Sequence, residues 1–199
     1  MDFTFSRIIQ ILAVLLLLAA LTQPIYTALY LYAPEVSRKF LWGLEGLIFV
    51  LMAAFGGSAL VMAKRYILGF SAIAMSAVLN VIQVGVGLTQ FGPFRAVETE
   101  LEAFGPAAGS VVAYSFFGYN AAKILLGLAA LVFGMGKMND GAKAIGGLTA
   151  LVGAVAFVAN TLVMMFGRGG PIPPAIAGGS GVLAALLLAI CLLSLRRED

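Results

Sequence analysis

The chain has 199 residues, 62% of them hydrophobic and 11% charged, with a mean hydropathy of +1.06 and a formal net charge of +3. That balance excludes an ordinary soluble domain, and the absence of a basic patch with interleaved aromatics argues against nucleic-acid binding. With no histidine, and a single cysteine (Cys191) inside an apolar run, the composition also excludes histidine-ligated haem, a catalytic zinc site, a Cys/His nucleophile pair and an intrachain disulfide.

Six apolar runs at 7–32, 41–63, 67–90, 111–136, 144–166 and 175–195 are each long enough to span a bilayer as a helix. The fold class expected is therefore all-α: a polytopic integral membrane protein, one domain over 1–199, built as a six-transmembrane-helix bundle. The first run follows Asp2 and Arg7 and lacks a small-residue cleavage site near its end, so it is expected to be a retained helix rather than a signal peptide. Its second half carries Gln23, Tyr26 and Tyr30 on one face, with Pro24 as a kink; Tyr30 and Tyr32 suit an aromatic belt at the membrane surface.

The second run begins with Trp42, expected as an interfacial anchor, and places Glu45 about one turn into the hydrocarbon. Ala53, Ala54, Gly56, Gly57 and Ser58 then make a smooth surface for a neighbouring helix. The third run aligns Ser76, Asn80, Gln83, Gly87 and Gln90 on one face. The fourth does the same with Phe116, Asn120, Lys123, Gly127, Ala130 and Gly134, and the fifth with Gly146, Thr149, Gly153, Ala156 and Asn160. The sixth has Gly178, Gly179, Ser180 and Gly181 near its start and only apolar residues beyond, which places it at the periphery of the expected bundle. Between the third and fourth runs, Phe94, Val97, Leu101 and Phe104 share a helical face, and a short amphipathic interfacial helix is expected there, shielding the bundle rim. Runs two and three and runs four and five each form a hairpin with a basic turn and an intramembrane asparagine on the second helix, the outline of a parallel repeat.

Lys and Arg are unevenly divided between the two sides. Arg7, Lys64, Arg65, Lys137, Lys143, Arg196 and Arg197 fall on the amino-terminal side, against Arg38, Lys39, Arg95 and Arg168 on the other. By the positive-inside tendency both termini are expected to be cytoplasmic, in a bacterial inner (plasma) membrane.

Lys123 remains, near the middle of its run, where an unpaired cation costs several kcal/mol, of order ~3 or more, and requires a polar environment. Glu45 is the natural counter-charge. Gln23, Gln83, Asn120 and Asn160 fall at a similar depth toward the outer side, with Asn80 close to the middle, so the residues expected to bind a substrate are Lys123, Glu45, Asn120, Asn80, Gln83, Asn160 and Gln23. The inner halves of the runs carry Gly, Ala, Leu and Met, which disfavours a continuous ion pore. The expected function is transport or binding of a small polar or zwitterionic solute in an outward-opening cavity among runs two to five, with Lys123 meeting an anionic group and Glu45 a cationic one. The alternative is an accessory or assembly subunit whose Gly-rich faces meet a larger membrane protein or a second copy of the chain, with Lys123 neutralising a partner's carboxylate.

An enzyme is not expected: Glu45 has no second intramembrane acid, and Ser115 lies about 80° around the helix from Lys123, too far for a Ser/Lys dyad. No cofactor or metal is expected; a retinal-binding lysine would call for a seventh helix. In length and helix count the chain is similar to the small substrate-binding subunits of energy-coupling vitamin importers, a likeness of size and topology that implies solute binding.

Overall fold

The computed structural model describes residues 3–33 and 35–195. Asp2, Arg196, Arg197 and the side chains of Tyr30 and Arg168, which enter the readings above, lie outside the described residues. The described chain is helical, in the order α1 (Phe5–Tyr32), α2 (Lys39–Met62), α3 (Ile67–Thr89), α4 (Phe91–Glu100), α5 (Gly105–Asn139), α6 (Lys143–Phe166) and α7 (Pro174–Leu193), with no strand among the described residues. All but α4 are long and apolar enough to cross a membrane, which is the pattern of an integral membrane protein.

Local chemistry sets the boundaries. Thr4 caps α1 by accepting the Arg7 amide, and Pro24 inside that helix removes the N–H that would otherwise bond the Ala20 carbonyl. Helix α5 starts earlier than its apolar run suggests, at Gly105. Pro106 occupies the first turn, where a missing N–H has no intrahelical partner to lose, so the Gly-Pro pair opens the helix instead of ending the loop. At 35 residues α5 is about 50 Å long and outreaches the hydrocarbon layer, while Lys123 lies near its midpoint.

The segment between α3 and α5 is a ten-residue helix, α4, with no buried residue. The four apolar residues expected on one continuous face do not all belong to it. The chain leaves helical geometry at Leu101 (φ −137°, ψ 95°), and Phe104 sits in a 3₁₀ turn that brings its ring back to Phe94, with centroids 5.5 Å apart.

Helix α5 is the hub of the bundle, packing along α3, α6 and α7. The sixth spanning helix is therefore not peripheral: α7 packs against α1, α5 and α6 and buries Ala184, Ala185, Leu188, Ala189 and Leu192. Its paucity of polar residues reflects close packing among apolar neighbours. Helix α2 packs on α1 and α3. Trp42 is tied into the bundle: its ring fills the space over Gly87, stacks on Tyr26 at 5.6 Å and meets Phe91 edge-on at 5.5 Å.

The closest approach is between α5 and α6. A Cβ added at Gly134 would lie 2.5 Å from the Ala150 nitrogen, and one at Gly127 would lie 2.7 Å from the Phe157 nitrogen. Gly146 and Gly153 face the same two points from α6, so backbone meets backbone in the manner of small-residue membrane interfaces.

At the end of the bundle where α1 begins and α7 finishes, the α2–α3 turn is pinned to α5. Tyr66 adopts a left-handed conformation (φ 59°), uncommon for a residue with a bulky side chain. Its ring lies over Gly136 and 5.1 Å from the Phe133 ring, its hydroxyl donates to Asp140 Oδ2 at 3.4 Å, and Arg65 contacts Asp140 Oδ1 at 3.5 Å.

Candidate functional site

Lys123 and Glu45 are both turned into the chain's own bundle, with 3% and 6% of their surface exposed. Their burial follows from the helices that carry them. Lys123 sits on the hub helix, and its aliphatic stem runs along α7 over Gly181, where a Cβ would come within 2.7 Å of Lys123 Cδ. Its Nζ is 5.2 Å from the centroid of the Tyr119 ring, one turn earlier on α5, within cation–π range. Glu45 reaches the same region from α2 and acts on Lys123 and Tyr119 through space, but the two charges are not in ion-pair contact. Glu45 Oε1 has no hydrogen-bond partner, whereas the Thr22 hydroxyl, which donates to the Ala19 carbonyl at 3.0 Å, stands beside the carboxylate.

Gln23 completes the group. Tyr119 donates its hydroxyl proton to Gln23 Oε1 at 2.9 Å, joining α5 to α1 next to Pro24, and that hydroxyl lies close to Gly178 on α7. The site thus draws on α1, α2, α5 and α7. The expected enclosure by the second to fifth spanning helices is replaced by one in which the first and last spanning helices contribute walls, because Gly181 on α7 makes space for Lys123 and Gln23 on α1 accepts from Tyr119.

The remaining amides occupy helix seams. Asn80 donates to the Ser76 carbonyl at 3.0 Å, and Ser76 donates to the Ala122 carbonyl at 2.8 Å, fastening α3 to α5. Gln83 Nε2 donates to Ser115 Oγ at 3.2 Å in the same seam. Asn160 bonds the Ala156 and Ala177 carbonyls at 2.8 and 3.0 Å, bridging α6 to α7. Asn120, buried beside Tyr119, donates to the Phe116 carbonyl at 2.7 Å. The Oδ1 atoms of Asn80 and Asn160 are buried without a partner, so each seam retains an acceptor.

Tyr119, Thr22 and Gly181 border the buried charges and were not among the residues expected from sequence to bind a substrate. Tyr119 and Lys123 are separated by one helical turn, and Gly178 and Gly181 by three residues, so both pairs had the spacing of a shared face. Thr22 had no signal apart from adjacency to Gln23.

Ser115 faces α3 and Lys123 faces α7, so the two do not meet. Among the described residues no group of His, Cys, Asp or Glu is arranged to hold a metal ion. Comparison of the chain with protein families, curated proteins and solved structures finds no match.

Proposed function

We propose that the chain is a small solute-binding or transport protein whose site is the buried set Lys123, Glu45, Tyr119 and Gln23, and whose solute is small and polar or zwitterionic. One observation supports this above all others: two opposite charges are enclosed in one bundle without neutralising each other directly, and a carboxylate oxygen is left unpartnered. Burying both ions costs several kcal/mol each, of order ~5, and direct contact would be the simplest compensation. Holding them apart instead suits a ligand that carries both complementary groups. A solute ammonium fits Glu45 Oε1, a solute carboxylate or phosphate fits the Lys123 ammonium, and the Gln23–Tyr119 hydrogen bond marks the outer wall.

For the accessory-subunit alternative, Lys123 would have to face a partner, and its burial within the chain's own helices weighs against that. In this reading the chain lies in a bacterial inner membrane with both termini cytoplasmic, an orientation supported by Lys64 and Arg65 in the α2–α3 turn and by Lys137 and Lys143 near the adjoining ends of α5 and α6, at the end where α1 begins. Helix α4, with no buried residue, lies on the outer interface as a rim anchor.

Native mass spectrometry of the protein extracted mildly from its own membrane tests the reading. The expected result is a bound small molecule that is lost on Lys123→Met and held more weakly on Glu45→Gln, with the same ordering in an uptake or binding assay. Full activity in both variants, or a stoichiometric protein partner in place of a small molecule, would overturn it.

A further inference from the structure

Asn160 differs from an amide that merely ties two helices together. It is fully buried (0% exposed), and its two N–H groups are both engaged by carbonyls, one on its own helix at Ala156 and one on α7 at Ala177. Those two bonds fix which end of the amide is which, so the atom left over is the acceptor Oδ1, and it has no partner. We infer that Asn160 Oδ1 belongs to the same site as Lys123 and Glu45 and determines its specificity, accepting a hydrogen bond from an uncharged O–H or N–H of the solute. The inference rests on the solute-binding reading above and narrows the solute class to zwitterions that also carry a neutral donor, a hydroxyl or a carboxamide.

Three contacts on one turn of α7 place Asn160 beside the charged group. Over residues 177–181, the Ala177 carbonyl accepts from Asn160, Gly178 lies close to the Tyr119 hydroxyl, and Gly181 lies against the stem of Lys123. A turn of α-helix rises about 5.4 Å, so the three side chains meet α7 within that height.

The α5–α6 seam gives the same register from the other side. Its two backbone contacts pair Gly134 with Gly146 and Gly127 with Gly153, a step of seven residues along each helix in opposite directions. A further step of seven reaches Asn120 and Asn160, and Asn120 is three residues from Lys123 on α5. Glycine lets the backbones touch at the first two levels, whereas the third has two amides between them. Among the described residues, α5 is the helix that packs along both α6 and α7. A fully buried oxygen on the α6–α7 bridge therefore faces α5 at the level of Tyr119 and Lys123.

The chemistry of this oxygen is selective. With its N–H groups held by backbone carbonyls, Asn160 has nothing to give a solute carbonyl, ether or methyl group, and it accepts only from a donor. An analogue lacking the donor leaves the oxygen enclosed and unpaired, the situation in which a binding site discriminates most sharply. Lys123 and Glu45 cannot make that distinction, because they engage the two charges that every zwitterion has.

The test uses pairs of zwitterions that differ in the donor: serine against alanine, and glutamine against norleucine, each at millimolar concentration with the full-length protein in detergent. Native mass spectrometry reads retention, and the unfolding temperature reads stability. The donor-bearing member of one pair or both is expected to be retained about tenfold more tightly by the parent protein. Asn160→Leu should bring that ratio close to one while both members still bind. Because this substitution also removes the α6–α7 bridge, Asn160→Gln is measured beside it; it keeps the amide, moves the oxygen by one methylene, and should reduce the ratio several-fold even if Asn160→Leu unfolds. The inference is overturned if the parent discriminates neither pair, or if the ratio survives both substitutions. A native small molecule that is lost on Lys123→Met while neither pair is discriminated would leave the solute-binding reading standing and remove Asn160 from the site.

Discussion

Helix α5 presents two contrasting faces. Toward α6 it offers Gly127 and Gly134 against Gly153 and Gly146, with backbone atoms so close that an added Cβ has no space. Toward α7 and α2 it offers Tyr119 and Lys123, with space made for the lysine by Gly181 and an unpartnered carboxylate oxygen opposite. Glycine serves both faces but does different work. In the first seam it removes side chains so that two backbones can touch; at the site it removes a side chain on α7 so that a long one on α5 can be enclosed. The first arrangement leaves nothing unsatisfied to bind a ligand, whereas the second encloses two charges that do not satisfy each other. A membrane interior stabilises the first through dispersion and penalises the second, which is why the charged face is the one that calls for a function.

The most severe way to break this contrast is to widen the dry seam. Gly134→Leu places a branched side chain where even a Cβ would lie 2.5 Å from the Ala150 nitrogen, so α5 and α6 can no longer pair and the extracted protein is expected not to fold. Gly134→Ala is the graded version, with a destabilisation of about 1–3 kcal/mol expected from overpacking. Gly57, with nothing within 4 Å of an added Cβ, is the control, and Gly57→Ala should leave stability within about 1 kcal/mol of the parent. Thermal unfolding in detergent, followed by loss of helical circular dichroism, measures all three. Equal effects at positions 134 and 57 would mean that the seam is not the close contact described.

An effect smaller than that of Gly134→Leu is expected from unbalancing the charges. Glu45→Gln leaves Lys123 enclosed without its counter-charge, and Lys123→Met does the converse to Glu45. Each should cost about 3 kcal/mol, as does removal of one partner of a buried pair. The double variant should recover part of that loss. Because the groups act through space without ion-pair contact, the coupling energy from the double-mutant cycle should be near the lower end of the usual range, about 1 kcal/mol. A coupling near zero would separate the two residues into independent sites.

The spans were legible in the sequence because a hydrocarbon layer imposes one simple demand, a run of apolar residues long enough to cross it. The six runs match α1, α2, α3, α5, α6 and α7 to within a few residues, except where Pro106 opens α5 early. The polar stripes were legible as faces but not as partners. Gln83, Asn80 and Lys123 all read as one layer because depth is encoded in chain position. Which neighbour each would meet depends on the azimuth of every other helix, and no single segment carries that information. Helix α7 was misplaced for the same reason: a stretch without polar residues fits a lipid-facing helix and a tightly packed one equally well, and only the side chains around it decide. Tyr119 stood beside Lys123 in the sequence, but its hydroxyl found Gln23 on α1, 96 positions away.

Gly181→Ala gives the finest test of the comparison, because it repeats the substitution made at Gly134 on the opposite face. Here the added methyl would meet Lys123 Cδ at 2.7 Å, a flexible side-chain carbon rather than a backbone nitrogen. The lysine stem can swing aside by a change of rotamer at about 0.5–1.5 kcal/mol, so the fold should persist with little change in unfolding temperature. The ammonium, however, would leave its position by the Tyr119 ring and its through-space relation to Glu45. Stability and ligand retention should therefore separate: Gly134→Ala lowers the unfolding temperature, while Gly181→Ala leaves it nearly unchanged and weakens small-molecule retention in native mass spectra. If Gly181→Ala destabilised the bundle as much as Gly134→Ala, Gly181 would be a second backbone seam, and Lys123 would be held by packing rather than poised for a solute.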